Sequence, residues 1–395
     1  MKKNIKIGIV VNDVEKTLDI NESTILMTAI EAINRGHKVY FMGVGDLSYD
    51  QEEKVCASAA YINGKKYDSM EEYLGAIKEI TKEKYTKVCV SELDILLLRN
   101  DPSLEPPERA WARSIVLDFG MLAAKHGVIV LNSPGGLSKS SNKLYLQHFP
   151  EEIRPRTIIT RNGDELRNFF DERKKVVLKP LSGSEGRNVF LIHGKEASNM
   201  DQMFEAVSRD GYVIAQEYLS EVEKGDTRIF LINGEPLMKD GVYAAFKRVK
   251  KGKDIRNNIS AGGKPRKAKI TPEMHRIMDI IKPRLIQDGM FLVGLDIVGN
   301  KLIEINTCLK FEDKENNEKK SLFEIVYASV VKIDDAIMNN KKELQKIILC
   351  DIQNKIYPNI EKALEYVNSL PIFNTPKIWD HNGTKENTLE ENKIH

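Results

Sequence analysis

Phe291-Leu292-Val293-Gly294-Leu295-Asp296-Ile297-Val298-Gly299-Asn300-Lys301-Leu302-Ile303-Glu304-Ile305-Asn306 is the stretch on which the reading of this chain turns. Two apolar runs flank Gly299-Asn300, a dipeptide suited to a tight hairpin turn. Acidic or amide oxygens interrupt the runs at Asp296, Glu304 and Asn306. Residues two apart in a strand share a face, so Glu304 and Asn306 point the same way. Asp296 lies on the partner strand, where a hairpin brings it beside them. Three oxygen ligands on one rigid face suit a hard divalent cation, which favours carboxylates and phosphate oxygens. A hairpin with a merely solvated polar face fits the same letters, so the rest of the chain has to decide.

Composition narrows the class. The chain has 395 residues, enough for two or three domains. Hydrophobic content of 41% and charged content of 30% are ordinary for a globular protein. Sixty basic against 58 acidic residues leave a net charge of +2. That balance argues against nucleic acid or an anionic membrane as the main partner. No apolar run approaches the roughly 18–20 residues that span a bilayer. The N-terminus leads into the alternating strand 5–11 and not into a signal-peptide core, so the expected location is cytoplasmic. Cys56, Cys89, Cys308 and Cys350 are scattered without a CxxC pair, which reads as reduced, mostly buried thiols.

The first third reads as an open α/β domain. Strand 5–11, a helical pattern over 23–35 closed by Gly36, and strand 38–42 make a βαβ unit with parallel strands. A helix-prone stretch from Met70 to Lys84, a strand over 93–99, a helix over 108–125 and a strand over 128–132 follow. From Pro155 the pattern becomes hairpin-rich. Residues 310–320 are almost wholly charged or amide, helical segments run to Ser369, and the remainder reads as a disordered tail.

Several segments carry chemistry. Residues 174–190 form a strand bearing Lys179, then a small-residue loop with Gly183 and Gly186, then a returning strand. Small residues let backbone N–H groups approach phosphate oxygens, and Lys179 adds a point charge. It is not a Walker A loop, because no Gly-Lys-Ser/Thr precedes a helix. Strand 212–219 leaves through Gln216, Glu217, Tyr218 and Leu219, an edge that can offer backbone groups to an adenine ring and a carboxylate to ribose hydroxyls. Asp226 and Arg228 share one face of a strand that enters an Asn233-Gly234 turn, where an arginine can clamp a carboxylate or phosphate. Arg256, Asn258 and Gly262-Gly263 make an anion-binding loop.

In the order Lys143, Lys179-Pro180-Leu181, Gln216-Glu217-Tyr218, Asp226-x-Arg228, Arg256-x-Asn258, Ala261-Gly262-Gly263, Asp296 and Glu304-x-Asn306, the chain resembles the ATP-grasp fold and, more closely, bacterial glutathione synthetases. Leu98-Arg99-Asn100-Asp101-Pro102 and Asn132-Ser133-Pro134 extend the resemblance into the first half. It implies an N-terminal parallel-sheet domain (1–135), an ATP-grasp core (136–310), a charged loop with a helical extension (311–370) and a tail (371–395). It also implies ATP-dependent phosphorylation of a substrate carboxylate, followed by attack of an amine on the acyl phosphate. On this basis Lys143 and Lys179 hold the nucleotide phosphates, with Gly183, Gly186 and Asp226 also among the nucleotide-binding residues. Gln216, Glu217, Tyr218 and Leu219 hold the adenosine, and Arg228, Arg256 and Asn258 steady the transferring group. Asp296, Glu304 and Asn306 ligate Mg2+, with Mn2+ as the alternative ion. Small-molecule substrates are implied, a γ-glutamyl peptide or amino acid and an amine acceptor, in a family that tends to form homo-oligomers.

Three departures bear on the substrate. Family members follow the Glu-x-Asn pair with Ser-Pro-Thr, whereas this chain reads Thr307-Cys308-Leu309. Glu185 stands in the phosphate loop where a small residue is usual, and the chain continues past Lys346. The expected activity is therefore a carboxylate–amine ligase, glutathione synthase first. A ligase for another small peptide or amino acid, or a catalytically silent ATP-binding regulator, stands as the alternative. Residues 310–320 are expected to act as a lid over the acceptor side.

Overall fold

The computed structural model describes residues 5–16, 18, 23–62, 66–80, 82–183, 186–209, 211–239, 241–250 and 263–307. Arg256, Asn258, Glu185, Cys308, the expected lid, the helical extension and the tail lie outside the described residues.

The first sheet comprises β1 (Lys6–Val11), β2 (Lys38–Gly43), β3 (Leu47–Tyr49), β4 (Val55–Tyr61), β5 (Thr86–Cys89), β6 (Ile95–Leu98) and β7 (Ile129–Leu131). The order is β3-β4-β2-β1-β6-β7, with β5 on β4. Strands β2, β1, β6 and β7 are parallel, as their alternation with helices predicts. The sheet becomes mixed at its other end, where β4 runs antiparallel to β2, β3 and β5. Residues 47–61 close by a short turn onto their neighbour and need no crossover helix. Period-two alternation splits β1 between two cores. Ile7, Ile9 and Val11 face α1 (Ser23–Asn34) and α2 (Met70–Lys78), while Val10 faces α3 (Ile115–Lys125). The expected helix over 108–125 is divided. Residues Pro107–Arg113 form a tight 3-10 stretch with Arg109 off helical geometry, and α3 starts after Ser114. Arg109 and Arg113 turn back onto the buried Glu105, which draws that stretch off the helix axis.

Beyond α4 (Pro134–Lys139) come two antiparallel sheets. β8 (Thr157–Thr160), β9 (Lys175–Pro180), β10 (Phe190–His193) and β11 (Val213–Glu217) pair in the order β10-β9-β11-β8. Leu166 and Phe169 of α5 (Gly163–Arg173) and Val207 of α6 (Met200–Ser208) cover one face.

The last sheet uses β12 (Asp226–Ile232), β13 (Glu235–Pro236), β16 (Ala245–Val249), β17 (Lys264–Lys267), β18 (Leu292–Val298) and β19 (Lys301–Asn306), with β14 (Met238–Lys239) and β15 (Val242–Tyr243) as a separate ribbon. The Asn233-Gly234 turn takes φ of 49° and 75°, both left-handed, a geometry that Asn and Gly adopt at little steric cost. The 298–301 hairpin closes as the opening stretch predicts, pairing Val298 with Lys301. Helix α7 (Pro272–Gln287) starts at a Thr271 cap. It lays Met274, Ile277, Met278, Ile281 and Leu285, spaced three and four apart, on Ile229, Leu231, Val293 and Leu295. No helix among the described residues is long and apolar enough to cross a membrane.

Among the described residues, Phe291 packs onto the first domain's core and polar side chains add further joints between the halves. Asn132 donates to Leu292 O (2.9 Å) and accepts from Leu292 N (2.7 Å), completing the end of β18 as a strand neighbour would. Asn132→Ala leaves both backbone groups unpaired, so the expected loss is about 1–3 kcal/mol, read by chemical denaturation. An unchanged midpoint would show that water replaces the clamp. A further joint is Asp288, discussed below.

Candidate active site

Lys143 opens a 3-10 stretch, Lys143–His148, capped by Asn142, whose side chain accepts from Leu144 N (3.0 Å). The cap directs Lys143 inward, where Nζ reaches Gly183 O at 2.6 Å and Glu304 Oε1 at 3.0 Å. Lys179, one residue from the end of β9, is half-buried beside the same carboxylate. Burial, with Lys143 adding to it, pushes the Lys179 ammonium down to about 8, and Glu304 and Asp296 oppose the fall. Gly183 takes φ of 128° and Gly186 69°, bending the loop after β9 so that its carbonyl faces Lys143.

Register assembles the acidic part. Across β12 and β18, Arg228 is the Cα partner of Asp296, and across β18 and β19, Asp296 is the partner of Glu304. A bulge between Asp296 and Ile297 shifts the ladder there, a feature that re-aims side chains. Arg228 grips Asp296 with two donors, Nε to Oδ1 and Nη2 to Oδ2 (2.9 Å). Arg248 of β16 bridges Asp226 and Asp296, its Nε reaching Asp226 Oδ2 at 3.0 Å and its Nη2 reaching Asp296 Oδ2 at 2.8 Å. All four side chains are buried. Burial pushes the Asp226 carboxyl up, more than Arg248 pulls it down. At Asp296 burial works in the same sense, but Arg228 and Arg248 together hold the carboxyl far below the usual carboxylate range. At Glu304 burial is outweighed by Lys143, so that carboxyl is lowered too.

Asn306 donates to Asp296 Oδ2 and to Gly294 O, both at 3.4 Å, which leaves its amide oxygen outside either bond. The expected ligands Asp296, Glu304 and Asn306 are thus brought together on adjacent strands. They amount to two carboxylates and an amide, and no group of three His, Cys, Asp or Glu occurs among the described residues. An oxygen-only set with few protein ligands fits Mg2+, which keeps waters and phosphate oxygens in its shell. Asp226 Oδ1 is buried without a hydrogen-bond partner among the described residues, an acceptor left over on the same face.

Asp226 and Arg228 lie two apart at the start of β12, on one face of the strand as the sequence pattern suggests. Both are buried in the ion network. Arg248, absent from the sequence reading, is its hub. The one signal was its place two residues from Phe246 on an alternating strand.

The remaining residues line the exit of β11. Gln216 is buried with Nε2 on Thr157 Oγ1 (3.2 Å). Glu217 accepts from Arg156 N (2.8 Å) and faces Arg173 at 3.8 Å. Tyr218 donates to Glu223 and lies under Lys175, whose Nζ is 3.6 Å from the ring centroid. Leu219 follows as the cap of the next 3-10 turn. Glu217 braces the edge with its side chain and pairs with Val176 as the last residue of the β11 ladder; Tyr218 N still donates to Lys175 O (3.1 Å), and the main chain leaves the sheet at Leu219.

Residues 5–138 match the prokaryotic glutathione synthetase N-terminal domain, and residues 142–309 match the ATP-grasp domain of prokaryotic glutathione synthetase. A glutathione synthetase of Buchnera aphidicola subsp. Schizaphis graminum is 31% identical over 322 residues, 80% of this chain and 94% of that protein. This chain belongs to the prokaryotic glutathione synthetase family. The glutathione synthetase of Escherichia coli K12 is 30% identical over 313 residues, 78% of this chain and 92% of that one. Among solved structures, D-cycloserine synthetase DcsG aligns with a TM-score of 0.51 at 14% identity, over 82% of this chain and 99% of its own. The macrocyclase MdnC of Microcystis aeruginosa MRC aligns at 0.52 and 12% identity, over 82% and 98%. At such identities these two share the fold alone. The family makes the chain an ATP-grasp ligase, an ATP-dependent enzyme of C–N bond formation.

Proposed function

We propose that this ligase is a glutathione synthase, phosphorylating γ-glutamylcysteine with ATP and joining the acyl phosphate to glycine. The observation that carries the reading is the convergence of Lys143 and Lys179 on Glu304, itself the strand partner of Asp296. The relatives named glutathione synthetase support the choice of substrates. Lys143 and Lys179 bind the phosphates, the Gly183–Gly186 turn covers them, and the main chain after Gln216 receives the adenine. Phosphoryl transfer asks for positioning and charge neutralisation more than for covalent chemistry, which suits a rigid sheet lined with opposite charges. Bound Mg2+, held by Asp296, Glu304 and Asn306, supplies further neutralisation of phosphate charge. An ATP-grasp ligase of the same fold, PsnB, has been solved with Mg and ADP, at a TM-score of 0.50 and 17% identity. Arg228, preset by Asp296, and the arginine and amide at Arg256 and Asn258 serve the transferring group.

The deciding assay is phosphate release by the purified full chain with ATP, Mg2+ and γ-glutamylcysteine, with and without glycine. Glycine-dependent release is expected. Release that depends on a different amine would make it another ligase, and none with any amine acceptor would make it an ATP-binding regulator.

Lys179→Met is expected to weaken binding of a non-hydrolysable ATP analogue by about 1.5–3 kcal/mol, the range for a hydrogen bond to a charged group. Because the ammonium titrates at about 8, wild-type affinity should fall as pH rises past that value while the variant stays flat. Calorimetry over a pH series reads both. Equal affinities would return Lys179 to a surface role.

A further inference from the structure

Cys56 on β4 and Cys89 on β5 are far apart in sequence, yet they are direct Cα partners across an antiparallel pair. Opposed residues in such a pair have Cα atoms about 4.5–5.5 Å apart and side chains on one face. A disulfide accepts Cα separations of roughly 4.4–6.8 Å. The Cys56 thiol donates to Asp50 Oδ2 at 3.3 Å. Cys56 is buried and Cys89 partly exposed. The chemistry at the two positions is unequal. Burial, aided by Asp50 and Cys89, pushes the Cys56 thiol up to about 11. Cys89 is the more exposed of the two, so a disulfide reagent from solvent reaches it first.

We propose that Cys56 and Cys89 form a reversible dithiol–disulfide switch, oxidised by low-molecular-weight disulfides at the β4–β5 edge. The Cys89 thiolate attacks one sulfur of RSSR, that S–S bond breaks, and RS⁻ leaves and takes up a proton. Cys56 loses its proton to solvent, attacks the Cys89 sulfur of the mixed disulfide and expels the second RS⁻, which takes up a proton in turn. Two protein thiols lose two electrons, and RSSR becomes two RSH. The new bond closes the loop 56–89, which carries α2, and removes entropy from the unfolded chain. The oxidised form therefore melts at a higher temperature.

The test treats the folded full chain with 2-hydroxyethyl disulfide and follows intact mass, peptide maps and melting. The wild type is expected to end about 2 Da lighter, with a Cys56–Cys89 linked peptide and a melting temperature several degrees higher, both reversed by dithiothreitol. Cys56→Ala should stop at the mixed disulfide on Cys89, and Cys89→Ala should leave Cys56 unmodified. A wild-type product that keeps the mixed disulfide on Cys89, a link to Cys308 or Cys350 instead, or thiols that stay reduced while the protein is folded would each overturn the proposal. The wild-type map alone decides it, should either variant fold poorly.

Discussion

Glu304→Gln is expected to lower turnover by about 10²–10³-fold, the scale of losing one preorganised electrostatic contact at a developing charge. The substitution keeps the shape and removes one full charge. In the folded chain that charge faces Lys143 at 3.0 Å and attracts Lys179, so its loss leaves two ammonium groups facing each other without their shared counter-ion. The carboxyl is lowered despite its burial, so it is ionised throughout the working pH range and the amide cannot imitate it. Stability should change little, because the residue is only half-buried and β19 keeps its backbone pairing. Phosphate release measured across a Mg2+ titration checks this. Near-normal turnover at limiting Mg2+ would remove Glu304 from the site.

Asp288→Ala should cost about 3–5 kcal/mol of stability, the range for breaking a buried ion pair and stranding its partners. Asp288 follows α7 and is buried. It receives Lys139 Nζ (2.6 Å), Arg284 Nε (2.6 Å) and the Tyr145 hydroxyl (3.0 Å). One carboxylate thus ties α4, α7 and the stretch that carries Lys143. The backbone closes on the same point, since a Cβ on Gly136 would collide with the Asp288 carbonyl oxygen. Burial acts to raise the Asp288 carboxyl, but Lys139, Arg284 and Tyr145 bring it below the usual value. A depressed folded-state value contributes stability above the unfolded carboxylate pKa of about 3.9 and loses it as pH falls through the folded value. Asp288→Asn should therefore flatten the acid limb of the stability profile. Denaturation midpoints from pH 7 downward, at about one-unit steps, check both effects. A wild-type acid limb in the Asn variant would show that Asp288 titrates normally.

Much of the site was legible because strands convert spacing into direction. Gly299-Asn300 set the hairpin turn, whose register alone would bring Asp296 opposite Ile303; the bulge after Asp296, which no residue pattern announces, is what sets it opposite Glu304. Lys179 near the end of an apolar strand, followed by small residues, likewise pointed to the loop whose Gly183 carbonyl meets Lys143. Arg248 was barely legible, because its place two residues from Phe246 marks only a strand face, and its role depends on β16 pairing with β12. Asn132 and Asp288 were missed for a related reason, since their partners lie up to 160 residues away. The Cys56–Cys89 pair is of the same kind. Widely spaced cysteines carry no pairing signal until two strands align.

The sequence by itself determined the periodicities, turns and donor chemistry: an apolar hairpin bearing carboxylate and amide oxygens, a lysine before a run of small residues, and parallel strands alternating with helices. These follow from side-chain properties acting within a few residues. The tertiary structure alone decided which charges neutralise which. Buried in the last sheet, Asp226 and Asp296 keep company only through Arg228 and Arg248 on neighbouring strands, and a buried carboxylate without such partners would not stay ionised. Ion pairing of that kind depends on strand order and register, which are settled only when all the faces of the sheets are buried at once.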